Sequence, residues 1–197
     1  MNQWIFLRHG ESIANQQRVF SGHQDVELTE HGREQAIQAG VQIKQLLRGQ
    51  VPHTAWSSDL IRARETATLA LSAAHFDCTL NIDPALRERN LGDWQGHCID
   101  ALKASGERDI LLTWKGHAPG GESLADISLR AVQLLKSLPQ QGPILIVAHG
   151  GLIRALVGLL DGTDREQIGR VNIPNAQPIE RWVSDVRWTQ IFRELSG

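Results

Sequence analysis

The chain has 197 residues, 41% of them apolar and 21% charged, a composition typical of a globular protein with one hydrophobic core. A formal net charge of −2 excludes the broad positive field with which proteins bind nucleic acid or anionic membranes. No apolar stretch approaches the ~18 residues of a membrane span. The N-terminus has no basic region followed by an apolar core, so we expect no export and a cytoplasmic location.

The cysteines indicate no cross-link in the chain, and the composition indicates no domain boundary. Cys78 and Cys98 are too few for a disulfide framework or a metal cluster. In a reducing cytoplasm we expect both to be free thiols. Because no repeat, low-complexity tract or linker is present, we expect residues 1–197 to form a single domain.

Short apolar runs alternate with helical patterns along the chain. The runs Trp4 to Leu7, Thr54 to Ser57 and Ile144 to Val147 predict buried strands. Helical patterns, bounded by cap, glycine or proline signals, cover the segments from Thr29 to Gly49, Leu60 to Leu71, Leu124 to Leu138, and Leu152 to Leu160. This alternation predicts an α/β fold with a mostly parallel sheet.

Two segments depart from the alternation. The runs Ile179 to Val183 and Val186 to Phe192, joined at Ser184-Asp185, predict a terminal hairpin or edge pair. Residues 92–122 are less periodic and rich in glycine, tryptophan and histidine. We expect this segment to be a lid-like excursion over one face of the sheet.

Two predicted strands end in a histidine followed by glycine. Arg8-His9-Gly10 follows the first run, and His149-Gly150-Gly151 comes one residue after the last run. Parallel sheets bind ligands at the carboxyl ends of their strands, so these residues are expected to share one site. Arg62 lies near the start of a predicted helix, where backbone N–H groups also favour an anion. Two arginines and two histidines suit a phosphoryl group, whereas the arginines would repel a divalent metal ion.

A carboxylate, Glu88, follows in a predicted loop. Phosphoryl transfer needs a proton for the leaving oxygen, and a partly desolvated glutamate can supply it. The alternative is a surface ion pair between Glu88 and Arg87 or Arg89. Residue chemistry alone leaves both interpretations open.

The motifs Arg8-His9-Gly10-Glu11-Ser12 with Asn15, Ser58 to Thr66, Glu88 within Leu-x-Glu-x-x-x-Gly, and Ala148-His149-Gly150 resemble, in order, those of the histidine phosphatase superfamily. The resemblance implies a three-layer α/β/α sandwich of the phosphoglycerate mutase-like kind. It implies no metal and no cofactor. The roles it implies concern one phosphoryl-transfer site.

In that site His9 would be the nucleophile and form a phosphohistidine, while Glu88 would protonate the leaving alcohol and then deprotonate water. The resemblance further implies that the phosphoryl group and substrate are held by Arg8, Asn15, Ser21, Gly22, Arg62, His149 and Gly150.

The resemblance leaves the acceptor of the phosphoryl group open. Cofactor-dependent mutases of the family have a longer, more basic insertion after the Glu motif, where this chain has only Lys103, Arg108 and Lys115. The run Gly92-Asp93-Trp94-Gln95-Gly96 is more similar to the phosphatase branch, which includes α-ribazole phosphatase-like and broad-specificity enzymes. We therefore expect a phosphatase of a small phosphate ester, with a mutase or a catalytically silent phospho-ligand binding protein as alternatives. A monomer or a homodimer is expected, without a nucleic-acid or membrane partner.

Several aromatic and basic residues have two interpretations. Trp94 and Trp114 line a substrate pocket or pack in the core or the lid. Three loop histidines contact substrate or, as we favour, lie in solvent: His23, His97 and His117. Arg64 is expected on the exposed face of the helix that contains Arg62.

Overall fold

A computed structural model describes residues 1–139, 141–184 and 186–197, and its centre is a five-stranded sheet. The strands are β1 (Asn2–Arg8), β2 (Thr54–Ser57), β3 (Leu80–Ile82), β4 (Ile144–Ala148) and β5 (Pro178–Val183). Their order is β3-β2-β4-β1-β5. The first four run parallel, and β5 pairs antiparallel with β1 at one edge.

Helices connect the strands. They are α1 (Ile13–Gln16), α2 (Glu30–Leu46), α3 (Ile61–Ala74), α4 (Ile99–Ala104), α5 (Leu124–Leu135), α6 (Gly150–Leu160), α7 (Arg165–Ile168) and α8 (Arg187–Ser196). Short 3-10 helices span Pro84–Leu86, Gly92–Trp94 and Glu107–Leu112. As predicted, Thr29 caps α2, because its hydroxyl accepts from the N–H of Gly32. Among the described residues, no helix combines the length and apolar character that crossing a bilayer requires.

The sheet lies between two helical layers. Successive side chains of a strand point to opposite faces, so Trp4 and Phe6 pack with α5, α6 and α8 while Ile5 and Leu7 pack with α2 and α3. Both sides of the central strands are buried, which is why these strands are continuously apolar. The three-layer α/β/α sandwich is thus confirmed.

The C-terminal prediction was half wrong. The first run forms β5, an edge strand, but the second forms helix α8 rather than a strand. Trp188, Ile191, Phe192 and Leu195 recur every three or four residues, which is the helical period. Trp188 is fully buried against the rings of two strand residues on β1. Asp185, which was predicted to join the two runs together with Ser184, lies outside the described residues.

Smaller differences follow from short elements and end effects. Strand β3 has three residues, too few for a periodic signal, and helix α1 has four. Helix α5 ends at Leu135, before the predicted Leu138, and α6 begins at Gly150 rather than Leu152.

Residues 92–122, for which the sequence predicts a lid-like excursion, form a small unit of their own. Residues 92–122 contain α4 and two of the 3-10 helices. Five buried residues form its separate apolar cluster with Phe20 packed against them: Leu91, Trp94, Leu102, Leu111 and Ala118. This segment contributes one wall of the cavity described next.

Candidate active site

The ends of β1 and β4 bring two histidines together. The strands are adjacent and parallel, with Arg8 opposite Ala148, and the N–H of His9 donates to the carbonyl of Ala148 at 3.0 Å. His9 and His149 are therefore neighbours, with ring centroids 5.2 Å apart and an interplanar angle of 61°. The convergence predicted from the strand ends is present.

One ring nitrogen of His9 is held by the backbone. Its Nδ1 lies 2.7 Å from the carbonyl oxygen of Gly10, which can only accept, so Nδ1 is the protonated nitrogen. The lone pair of His9 is then on Nε2. The carbonyl of His9 accepts from the side-chain amide of Asn175 at 2.9 Å, which fixes the loop after β1. His9 lines the cavity and is only 4% exposed.

His149 lies behind His9. It occupies the N-cap of α6, is fully buried, and within the described residues neither of its ring nitrogens has a hydrogen-bond partner. Of the predicted site residues it alone does not line the cavity. Its ring lies beside that of His9, which does line the cavity.

Burial and positive neighbours keep both imidazoles neutral. Burial, followed by the charges of Arg62 and Arg8, lowers the pKa of His9 well below its ordinary value of 6.5. Burial also lowers the pKa of His149 well below that value, with Arg62 the next cause. A neutral imidazole with a free lone pair is a nucleophile.

Arg8 stands at the end of β1. Its Nη1 donates to the carbonyl of Ile173 at 2.7 Å, and its Nε has no partner within the described residues. Gly150 leaves room for this guanidinium, because a Cβ at residue 150 would lie only 3.2 Å from Nε of Arg8, which is closer than most Cβ contacts. Burial lowers the pKa of Arg8, and the charge of Glu88 partly offsets the effect.

Arg62 is the second residue of α3 and is 1% exposed. Its Nη1 and Nη2 donate to the carbonyls of Gln24 and Gly22, each at 2.8 Å, so the guanidinium also anchors the loop after α1. Burial lowers the pKa of Arg62 to about 10, and the group stays charged at neutral pH.

Glu88 faces the cavity and does not form a surface ion pair. Its Oε1 accepts from the backbone N–H of Arg89 at 2.8 Å, and its Oε2 accepts from that of Gly151 at 2.9 Å. The alternative partners are engaged elsewhere: Arg87 pairs with Asp59, and the guanidinium of Arg89 donates to a backbone carbonyl. The N-terminus of α6 thus helps to hold the carboxylate at the cavity wall.

The remaining predicted residues also line the cavity. They are Asn15, Ser21, Gly22 and Gly150. The amide oxygen of Asn15 accepts from Ser12 N and from Asn175 Nδ2, each at 3.2 Å, which leaves the NH₂ group of Asn15 to donate. Gly22 has a φ of 50°, a backbone conformation that favours glycine.

The cavity contains three arginines that the sequence interpretation did not place there. Arg89, Arg108 and Arg154 line it together with Arg8 and Arg62. A count of basic residues within 92–122 finds only the second of these. Two positions in the sequence could have revealed them: Arg89 follows Glu88 directly, and Arg154 lies one helical turn after Gly150.

Other singled-out residues have structural roles. Trp114 is buried in the main core and Trp94 in the lid cluster, so neither lines this cavity. His97, His117 and Arg64 are exposed, whereas His23 is partly buried and its Nε2 donates to the Glu88 carbonyl at 2.8 Å. Both cysteines are free. Within the described ranges, no three His, Cys, Asp or Glu side chains are grouped to hold a metal ion.

The cavity has a volume of about 230 Å³, below the ~300–1,000 Å³ of sites for drug-sized ligands. Its floor combines a neutral imidazole, guanidinium donors and an oriented carboxylate. This arrangement can bind a phosphoryl group, accept it on nitrogen and exchange a proton with its oxygen substituent.

Known proteins share this fold and much of this sequence. A 2,3-bisphosphoglycerate-dependent phosphoglycerate mutase of Chelativorans sp. (strain BNC1) is 38% identical over 185 residues, 89% of each chain. A mycobacterial glucosyl-3-phosphoglycerate phosphatase in complex with VO3 is 30% identical, with a TM-score of 0.78 over 91% of this chain and 92% of the other. YhfR of Bacillus stearothermophilus is 25% identical, with a TM-score of 0.81 over 93% and 92%.

The sequence pattern of one family covers almost the whole chain. The histidine phosphatase superfamily (branch 1) matches residues 4–189, a range that contains both histidines, both site arginines and the carboxylate. The protein therefore belongs to the histidine phosphatase superfamily.

Proposed function

We propose that this protein is a phosphomonoester hydrolase that transfers the phosphoryl group of a small phosphorylated metabolite to His9 and then to water. The observation that carries the proposal is the position of the His9 imidazole in the cavity lining, where burial and the neighbouring arginines lower its pKa well below 6.5. The Gly10 carbonyl holds the proton on Nδ1, so Nε2 presents its lone pair beside the guanidinium groups of Arg8 and Arg62.

The reaction divides into two balanced steps. In the first, Nε2 of His9 bonds to phosphorus, the ester P–O bond breaks, and Glu88 gives a proton to the departing alkoxide. In the second, Glu88 takes a proton from water as the water oxygen attacks phosphorus, and the P–N bond breaks to release phosphate and neutral His9. The two backbone N–H groups that hold Glu88 keep its carboxyl in place for both proton transfers.

The arginines account for charge stabilisation without a metal. A phosphoryl transition state spreads charge over three equatorial oxygens, and guanidinium donors match those oxygens. Arg8 and Arg62 each keep N–H groups beyond those bound to backbone carbonyls. Metal-independent turnover is part of the proposal.

Hydrolysis is favoured over transfer to a second hydroxyl by the similarity to a solved phosphatase, glucosyl-3-phosphoglycerate phosphatase. The mutase is the second candidate. Curated relatives of nearly the same length have the mutase name, and Arg89 and Arg154 add positive charge that the count within 92–122 missed. The cytoplasmic location and the oligomeric state stay predictions.

The decisive experiment traps the intermediate. We expect wild-type protein, mixed with a ³²P-labelled phosphate ester and quenched in base, to contain acid-labile phosphate on His9. His9→Ala should lose the label and turnover, while the exposed histidine variant His97→Ala keeps both. Label on a residue other than His9, or full turnover by His9→Ala, would contradict the proposal.

The reaction products identify whether water or a second hydroxyl accepts the phosphoryl group. Phosphate release that persists in EDTA supports the hydrolase. Conversion of 3-phosphoglycerate to 2-phosphoglycerate in the presence of bisphosphoglycerate, without phosphate release, would favour the mutase. Binding of phosphate esters with neither label nor product would favour the silent binding protein.

A further inference from the structure

The backbone of the loop that contains Glu88 is held by an arginine of helix α5. Arg130 donates to three backbone carbonyls of this loop, those of Ala85 at 2.7 Å and of Arg87 and Glu88 at 2.9 Å each. A guanidinium has five N–H donors in one rigid plane, so it fixes several acceptors in a single geometry. Arg130 therefore fixes the course of the backbone at the proposed proton donor.

The same guanidinium forms an ion pair with Glu122, the residue before the N-cap of α5. Nε and Nη2 of Arg130 lie 3.0 and 3.1 Å from the two carboxylate oxygens of Glu122. One of these oxygens also accepts from the backbone N–H of Asn90 at 2.8 Å, and the N–H of Glu122 donates to the Asn90 carbonyl at 2.8 Å. The ion pair thus holds the loop on both sides of Glu88.

The pair lies in a partly buried and charged environment. The side chains of Arg130 and Glu122 are 23% and 26% exposed, so solvent screens their interaction less than that of a surface pair. Burial raises the pKa of the Glu122 carboxyl, but the hydrogen bonds from Arg130 and the Asn90 N–H lower it by more, and it lies below its ordinary 4.5. His23 adds a second donor to the Glu88 carbonyl, since its Nε2 lies 2.8 Å from that oxygen. Glu122 is therefore charged at neutral pH.

Glu88 lies between this ion pair and the cavity. The described residues that line the cavity include Glu88 but neither Arg130 nor Glu122. The contacts described above hold the two ends of Glu88 separately, because backbone N–H groups bind its carboxylate and Arg130 binds its carbonyl. A general acid must lie within hydrogen-bond reach of the leaving oxygen, and a displacement of about 1 Å can cost much of its effect.

We propose that Arg130 and Glu122 are positioning residues for proton transfer, whose ion pair places the Glu88 carboxyl at the leaving oxygen of the substrate. They act through Glu88 and contact neither the substrate nor the reacting atoms. This inference rests on the proposed function for the role of Glu88 as proton donor. The expected defect is then confined to substrates whose leaving group needs a proton.

The dependence of the rate on the leaving group tests the inference. The quantity measured is kcat/KM, which reports the step in which the ester bond breaks, for β-glycerophosphate and for p-nitrophenyl phosphate. In Arg130→Met we expect the loss on β-glycerophosphate to exceed the loss on p-nitrophenyl phosphate by about tenfold or more, because only the first leaving group needs a proton. The inhibition constant of inorganic phosphate should change little, since the cavity floor keeps Arg8 and Arg62. Equal losses on the two substrates would overturn the inference.

Conservative and control variants distinguish positioning from folding. Glu122→Ala should show the same selective loss, and Glu122→Gln should recover most of it, because an amide oxygen still accepts from Asn90 and Arg130. Glu122→Ala keeps the hydrogen bonds of Arg130 to the backbone, so we expect it to fold even if Arg130→Met does not. Arg181→Met removes a matched ion pair with Asp161, at 2.7 Å, and should leave the ratio of the two kcat/KM values unchanged. A selective loss in this control as large as in Glu122→Ala would contradict the assignment.

A double mutant separates this inference from the proposed function. If Arg130 acts through Glu88, adding Arg130→Met to Glu88→Gln should cause no further loss on β-glycerophosphate. A further loss as large as in the wild-type background would refute the inference and leave the hydrolase standing. If Glu88→Gln itself shows no selective loss, Glu88 is not the proton donor, and that part of the proposed function fails together with the inference.

Discussion

Gly151 shows how a single residue position determines the place of Glu88, the carboxylate proposed as the proton donor. Its backbone N–H donates to Glu88, and a Cβ at this position would lie 2.4 Å from Oε1 of the same side chain. That oxygen is at the end of a flexible side chain, so it can move, whereas the helix backbone around Gly151 need not. Gly10 differs, because a Cβ there would meet the backbone oxygen of Gly32 at 2.2 Å.

Gly151→Ala should therefore displace Glu88 without unfolding the protein. We expect alkyl phosphates, whose leaving group needs a proton, to lose about 10²-fold or more in kcat, as in Glu88→Gln. p-Nitrophenyl phosphate, with a good leaving group, should lose much less. Steady-state kinetics on both substrates test this, with circular dichroism as the folding control. Equal losses on the two substrates would remove Glu88 as the proton donor.

Helix α8 shows how an element stabilises the strand that leads to the site. Its residue Trp188 packs edge-on against Trp4, with ring centroids 5.3 Å apart, and also contacts Phe6 on the strand that ends at Arg8. The helix thereby covers one face of β1. Without this cover the apolar side chains of the strand would be exposed to water.

Trp188→Ala should lower the free energy of unfolding by about 3–5 kcal/mol, because it removes a fully buried ring and leaves a cavity. Trp182→Ala, the matched control on edge strand β5, should cost about 1 kcal/mol or less, since that ring is 60% exposed. Urea unfolding of both variants provides the measurement. Similar losses in the two variants would show that α8 does not stabilise the sheet as described.

At the scale of the whole molecule, the fold buries two neutral histidines among arginines. Their pKa values are lowered below the ordinary 6.5, which the unfolded chain regains. Below pH 6.5 the unfolded state therefore binds protons at these two histidines that the folded state does not bind. Stability is complete at neutral pH and is lost as the pH falls from 6.5 toward the lowered values.

The expected slope is about 1.4 kcal/mol per pH unit for each histidine, or about 2.8 for His9 and His149 together. Urea unfolding in phosphate-free buffers between pH 7 and pH 5 should show this loss. In His149→Asn the slope of the free energy of unfolding against pH should be shallower by the contribution of one histidine, about 1.4 kcal/mol per pH unit. An unchanged slope in that variant would mean that His149 is protonated in the folded protein. Added phosphate should reduce the loss, because an anion stabilises protonated histidines.

Some strands and helices could be predicted from the sequence and others could not. Strands β1 and β4 are apolar runs buried on both faces, so their composition alone marks them, whereas β2 alternates half-buried and buried residues. Strand β3 is too short for such a signal, and α8 has a helical period that its β-branched and aromatic residues obscured. The predicted roles of His9, Glu88 and the other site residues stay predictions that the experiments above test.

From the sequence alone, the α/β class and the meeting of Arg8, His9 and His149 follow, because parallel strands must present their carboxyl ends at one edge. Only the tertiary structure decided that Glu88 points at the N-terminus of α6 and that three further arginines enter the same cavity. Those positions depend on contacts between segments far apart in the chain. Local periodicity contains no information about such contacts, since side-chain packing alone selects the segments that meet.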